Sequence, residues 1–165
     1  MHRIGVLTLS DRSAAGVYAD QSGAVARELL LAGISGGEIA RYAVIPDERV
    51  QIEATLRAWA DQEGLALIVT TGGTGLAPRD VTPEATLAVL TYQVPGLAEV
   101  MRAASLAQTP FAMLSRAVAG VRGHTLIVNL PGSPKAVREC LAAILPALPH
   151  ALDKLAGDPA DCASP

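Results

Sequence analysis

The stretch TTGGTGLAPRDVTPEAT, residues 70–86, combines three glycines, an Arg-Asp pair and a helix start. Gly72, Gly73 and Gly75 can take positive φ and let a ligand approach the backbone closely. Arg79 is a planar cation suited to phosphate, and Asp80 beside it is a carboxylate suited to a divalent metal. Together they fit a phosphate and its Mg²⁺. The turn is not a P-loop, because the Gly-Lys-Ser/Thr ending is missing. Nor is it a dinucleotide fingerprint, since the spacing differs and no helix follows at once. Taken alone, it reads equally as a tight turn without a ligand, and Arg79–Asp80 as a solvated pair. Thr82, Pro83 and Glu84 read as N-cap, first-turn proline and first-turn acid of a helix.

Three other stretches carry similar chemistry. In NLPGSPKAV, Gly132 precedes Ser133, which can cap a helix opened by Pro134. The free N–H groups there favour an anion, and Lys135 adds charge. In SDRS, Ser10, Asp11 and Ser13 offer two hydroxyls and an acid. In IPDER, Asp47 is either a site carboxylate or the N-cap of the next helix. The plain alternatives are a strand-to-helix turn, a polar loop and a cap. Glu99 and Arg102, three apart on a helix, read first as a surface ion pair. His2, His124 and His150 have no partner at metal-ligand spacing.

These stretches must be positioned by the elements between them. Residues 4–9, 65–69 and 125–130 are apolar runs with the look of buried strands, and residues 38–45 are a weaker one. Helical periodicity alternates with them: Ile52, Leu56 and Trp59; Leu97, Val100, Met101 and Ala104; Val137, Leu141, Ile144 and Leu145. A further helix precedes Gly33, with Val25 and Leu29 inward. The alternation predicts an α/β fold, a three-layer α/β/α sandwich with a mostly parallel sheet. Two strand-like runs flank Arg122, Gly123 and His124, which predicts a hairpin of 117–121 against 125–129 and one antiparallel strand. In such a sheet, ligands bind beyond the carboxyl ends of the strands. Each of the four stretches follows a strand, so all four are expected at one rim.

The chain has 165 residues, 50% hydrophobic but only 3% aromatic, so the core must be built from Leu, Val, Ile and Ala. That length suits one domain, expected over 1–156, with a flexible tail over 157–165. A net charge of −3 gives no overall basic footprint for nucleic acid. No run reaches the roughly 18 residues needed to cross a membrane. The N-terminus lacks a signal peptide's apolar stretch, and Cys140 and Cys162 stand far apart. They read as one buried and one free thiol, which suits a reducing cytoplasm.

With LSDRSAAGVYAD, VIPDE, TTGGTGLAPRDVTPEAT, PGLAEVMR and LSRAVAGVRGHTLIVNLPGSPKAVRE in that order, the sequence resembles the MogA/MoaB family of molybdenum cofactor biosynthesis. The G domains of gephyrin and of its plant counterpart belong to that family. The likeness spans residues 3–150, and its opening loop is closer to the adenylyltransferase branch, MogA. The resemblance implies a molybdopterin adenylyltransferase, which moves AMP from Mg-ATP to the terminal phosphate of molybdopterin and releases pyrophosphate. It implies Asp47 and Asp80 as catalytic acids and Mg²⁺ ligands. Thr71, Gly72, Gly73, Thr74 and Gly75, with Gly132 and Ser133, match the pterin- and phosphate-binding turns. Ser10, Asp11 and Ser13 match the N-terminal loop; Gly96, Glu99 and Arg102, then Ser115 and Arg116, match two further family segments. Arg79 and Lys135 are the cations expected to hold phosphate. A homotrimer is implied, supported by helix faces such as Leu97 and Met101 that a small sheet need not cover. Hand-over to the molybdate-inserting enzyme is a further implication. Two rival classes are a MoaB-type protein that binds molybdopterin or a nucleotide without transfer, and a structural interaction domain. Gly73→Val is expected to block the ligand and leave the fold intact.

Overall fold

The computed structural model describes residues 1–159, so Cys162 and the tail from residue 160 lie outside the described residues. The chain runs β1 (His2–Leu9), α1 (Asp11–Ala14), α2 (Gln21–Gly33), β2 (Gly37–Ile45), α3 (Arg49–Arg57) and β3 (Leu67–Thr71). It continues through α4 (Thr82–Leu87), β4 (Tyr92–Gln93), α5 (Pro95–Leu106), β5 (Ala119–Arg122), β6 (Thr125–Leu130), α6 (Pro134–Ile144) and α7 (Leu148–Leu155). The strands form one sheet in the order β2-β1-β3-β6-β5-β4. β2, β1, β3 and β6 are parallel neighbours; β5 is antiparallel to both β6 and β4.

The three layers follow from the period of two along each central strand. Ile4, Val6, Leu67, Val69, Leu126 and Val128 face α2, α5, α6 and α7. Leu7, Leu9, Ile68 and Ile127 face α3 and α4 on the other side. Both faces of the parallel sheet are thus covered, which is why its strands read as unbroken apolar runs.

The α/β sandwich and its single reversed strand, β5, are as expected. The boundaries differ in instructive places. The third strand begins at Leu67, not Leu65, and runs on through Thr70 and Thr71. The two threonines are paired with Asn129 and Leu130, so strand pairing carries polar residues that look like loop. The first hairpin strand starts two residues later than expected and ends one later, Ala119–Arg122, and it pairs with Thr125–Val128 of β6. β4 has only two residues, too few to show an alternating pattern. The helical face of Val137, Leu141 and Ile144 belongs to α6, with Leu145 as its C-cap, and a further helix not expected from sequence, α7, follows beyond Pro146. The Leu97 and Met101 face of α5 is covered within the single chain: Met101 is 2% exposed and Leu97 packs on the core. The sheet is flanked by enough helix to cover it.

Candidate functional site

The rim forms because β1, β3 and β6 lie side by side and end together. At its centre two turns touch. Gly72 N donates to Leu130 O (3.2 Å), and Thr71 Oγ1 donates to Pro131 O (2.7 Å). Gly72 and Gly73 have φ of 100° and 65°, which is why glycine stands at both. The turn is locked from behind by Thr82, whose Oγ1 donates to Gly72 O (3.0 Å) and whose N donates to Gly73 O (3.2 Å). Thr82 is therefore not the N-cap expected from sequence. Val81 holds that place, without a side-chain cap.

Arg116 is a second strut. Its N donates to Thr74 O (2.9 Å), its Nε to Gly75 O (2.8 Å) and its Nη2 to Asp80 O (2.7 Å), while Nη1 pairs with Glu84. It shapes the turn and does not line either cavity described below. Beneath the rim lies Asn129, fully buried, donating to Thr70 Oγ1 (3.0 Å) and Thr86 Oγ1 (2.9 Å).

Two cavities of about 440 Å³ each open on either side of the turn. They share Gly73, Asp80 and Gly132. The first is mainly apolar, with Met101, Phe111, Leu114 and Ala136 among its walls, and it contains Thr74, Gly75, Arg102, Ser115 and Ser133. The second is polar, with Thr8, Ser10, Ser13, Asp20, Asp47, Thr71 and Gly72. Ser133 caps α6 as expected, accepting from Ala136 N (3.2 Å).

Asp47 lies on the wall of the polar cavity. It is not a helix cap; Glu48 holds that position. Asp47 Oδ2 accepts from Asp11 N (3.0 Å), and Asp11 Oδ1 accepts from Asp47 N (3.0 Å), a reciprocal clasp between two loops. Burial pushes the Asp47 carboxyl up, and the charges of Asp11 and Asp80 add to this against the opposing effect of Asp11 N–H and Arg79. Its Oδ1 is buried without a hydrogen-bond partner among the described residues. A buried, orphaned carboxylate oxygen near a second carboxylate is a donor set that fits Mg²⁺, which takes few protein carboxylates and completes its shell from phosphates and water. Among the described residues no cluster of three or more acidic, His or Cys groups forms a metal cage.

The structure does not bring every expected residue to the cavities. Arg79 forms two hydrogen bonds to Asp11 (3.0 and 2.9 Å) and one to Glu48 (2.9 Å). Those bonds from Arg79 hold Asp11 below the usual carboxylate range. Arg79 and Asp11 thus satisfy each other, and neither lines a cavity. Glu99 and Lys135 do not line one either; Lys135 sits 3.9 Å from Glu139 on the same helix. Arg102 does not pair with Glu99. It donates to Ser115 O (3.4 Å) and Ala117 O (2.9 Å) instead.

One residue in the polar cavity was missed. Asp20 caps α2 and accepts from Thr8 Oγ1 (2.6 Å), Tyr42 Oη (2.7 Å), Gly23 N (2.8 Å) and Ser22 Oγ (3.2 Å). Burial opposes its charge, yet these donors win and hold its carboxyl low. Burial and the Asp20 charge push Tyr42 up to about 12. The legible signal was an Asp directly before a helical stretch.

The expectation for Gly73→Val needs correction. A Cβ on Gly73 would overlap the Thr82 hydroxyl, and φ is positive. That substitution disrupts the turn itself. Gly132 is the better probe, because its Cβ would meet Gly72 Cα at an ordinary 3.4 Å. Gly132→Ala is expected to shift the melting midpoint by no more than about 2 °C. It should weaken ligand affinity about tenfold or more by adding a methyl where the cavities meet. Differential scanning fluorimetry and ligand titration read the two effects.

Comparison with known proteins supplies names for relatives. Residues 5–150 match the family described as "Probable molybdopterin binding domain". The molybdopterin adenylyltransferase of Helicobacter pylori strain J99 is 47% identical over 155 residues, covering 94% of this chain and 88% of the relative. The crystal structure of the molybdopterin biosynthesis enzyme MoaB from Thermus thermophilus superimposes with a TM-score of 0.90 at 57% identity, covering 96% of this chain and 99% of that one. The molybdopterin biosynthesis Mog protein from Mycobacterium ulcerans gives 0.87 at 41% identity, covering 94% and 99%.

Proposed function

Because the chain belongs to the molybdopterin-binding domain family, we propose that it is a molybdopterin adenylyltransferase of molybdenum cofactor biosynthesis. It joins AMP from ATP to the terminal phosphate of molybdopterin and releases pyrophosphate. The observation that carries this reading is the pair of equal cavities meeting at Gly73, Asp80 and Gly132. The product has two ring systems joined through a diphosphate, and the site has two lobes joined by a glycine ridge.

The attacking group is a phosphate oxygen, already anionic, so no strong protein base is required. Catalysis is then positioning and charge compensation at the α-phosphorus. The apolar cavity holds one reactant, with Ser133 and the α6 N-terminus beside it. The polar cavity holds the other, with Ser10, Ser13, Thr71 and the orphaned Asp47 Oδ1 on its walls. Asp80 faces both. Asp47 and Asp80 would hold Mg²⁺, which when bound neutralises charge on the phosphates as the leaving pyrophosphate separates. Arg79, Asp11 and Arg116 act at one remove, by fixing the loops that carry these groups.

The reading includes a homotrimer in the cytoplasm that hands its product to the molybdate-inserting enzyme. Exposed apolar side chains such as Val100, Phe111 and Met113 support assembly, and no helix among the described residues is long and apolar enough to cross a membrane. A second reading, a MoaB-type protein that binds without transfer, is favoured by the MoaB structure at 57% identity. Incubation with molybdopterin, ATP and Mg²⁺ separates the two. Pyrophosphate and an AMP–pterin product in equal amounts are expected; molybdopterin binding with no pyrophosphate would establish the second reading.

A further inference from the structure

The segment between β1 and α2 closes back on itself at the mouth of the polar cavity. Ser10 caps α1, and Val17 N donates to Arg12 O (2.9 Å), so the chain returns beside its own start. Gly16, with φ of 75°, makes that reversal possible. The far end is anchored by Asp20 on α2. Held between these anchors, the Arg12 guanidinium lies 4.8 Å from the centroid of the Tyr18 ring. Both side chains line the polar cavity, and Tyr18 is nevertheless 56% exposed. Arg12 forms no ion pair with a carboxylate among the described residues. It is a cation kept on a ring, and the ring's remaining surface is left to solvent.

We propose that the Arg12–Tyr18 pair is the platform on which the adenine base of ATP stacks, and that it sets preference for the nucleotide over its bare phosphate chain. The proposal rests on the adenylyltransferase reading and deepens it. Three observations support it. An exposed aromatic ring on a cavity wall offers the flat, sequence-tolerant surface that bases stack on. The guanidinium against the ring orients it and adds its own planar surface. The hydroxyls and the orphaned Asp47 oxygen that suit a metal-bound phosphate chain lie in the same cavity, so a nucleotide seated there by its phosphates has the pair within its enclosure. The apolar cavity has Phe111 as an exposed ring, but no cation over it among the described residues.

Isothermal titration with Mg-ATP, Mg-triphosphate and molybdopterin tests this on wild type, Tyr18→Ala and Tyr18→Phe. Tyr18→Ala should weaken Mg-ATP about tenfold, leave inorganic triphosphate and molybdopterin within twofold, and be rescued by Tyr18→Phe. Wild-type affinity for Mg-ATP in Tyr18→Ala would overturn the platform while leaving the adenylyltransferase reading standing. Equal loss of triphosphate and ATP would also overturn it, by showing a collapsed loop, as would a loss confined to molybdopterin. A wild-type protein that binds no Mg-ATP would overturn the adenylyltransferase reading and the platform with it.

Discussion

Asp80→Asn is expected to reduce AMP transfer about 100-fold or more, about 3 kcal/mol in the barrier, with little rescue by raised ATP. Molybdopterin affinity should stay within a few-fold of wild type. The substitution keeps the shape and one acceptor, so the bond from Ala77 N to Asp80 Oδ2 (2.9 Å) has a replacement and the turn should hold. What is lost is the charge. Arg79, next in sequence, does not neutralise Asp80, because it is committed to Asp11 and Glu48. Asp80 lines both cavities at their junction, where the proposed function places the α-phosphate. If Asp80 only closed its loop, an asparagine would serve as well and turnover would stay near wild type. Single-turnover assay of pyrophosphate release, with molybdopterin titration of the same variant, separates these outcomes.

Asp47→Asn should combine a rate loss of similar order, about 100-fold, with a small gain in stability. Burial, then the charges of Asp11 and Asp80, raise this carboxyl above its unfolded value. A raised acid favours folding fully only below its unfolded pKa, about 3.9, and that contribution is lost as pH rises through the folded value. At neutral pH the ionised Asp47 therefore costs stability, and a neutral asparagine removes the cost while its oxygen still accepts from Asp11 N. A rise in melting midpoint of up to about 2 °C is expected, small because a partly exposed carboxylate is screened by solvent. The difference between variant and wild type should grow as pH rises through the acid range, and vanish near pH 3. Thermal scans at several pH values measure it. A destabilised Asp47→Asn at neutral pH would instead mark the Asp11–Asp47 clasp as needing both charges. A less stable state retained at a site is the expected sign of a group kept for chemistry.

Gly132→Ala and the two aspartate substitutions probe the rim in different ways. The first narrows the space between the lobes. The others alter charge with the space unchanged. Their effects on ligand affinity and on rate should therefore diverge, with affinity falling first for Gly132 and rate for Asp47 and Asp80.

The alternation of strands and helices, their apolar faces, and the four polar turns at the ends of strands are all legible in the order of residues. These are local properties. A period of two or of 3.6 is written in neighbouring residues, and so is the preference of glycine for positive φ at Gly72 and Gly73. The cap at Ser133 was legible for the same reason. The pairing of charged groups was not, because it joins residues far apart in the chain. Arg79 meets Asp11 across 68 positions, and Arg116 meets Glu84 across 32. Only the register of β1, β3 and β6 brings those loops into reach. From sequence, Arg79 looked like a phosphate ligand; in the fold it is a strut between loops, as is Arg116. Thr82 looked like a cap and is the lock behind a glycine turn. Asp20 was not singled out from sequence; it caps α2 and is the acceptor for Thr8 and Tyr42 on two strands. The division of the rim into an apolar and a polar cavity also belongs to the tertiary structure. Composition lists the walls, but only the packing of α5 and α6 against one side of the turn, and of the β1–α2 loop against the other, decides which wall faces which space.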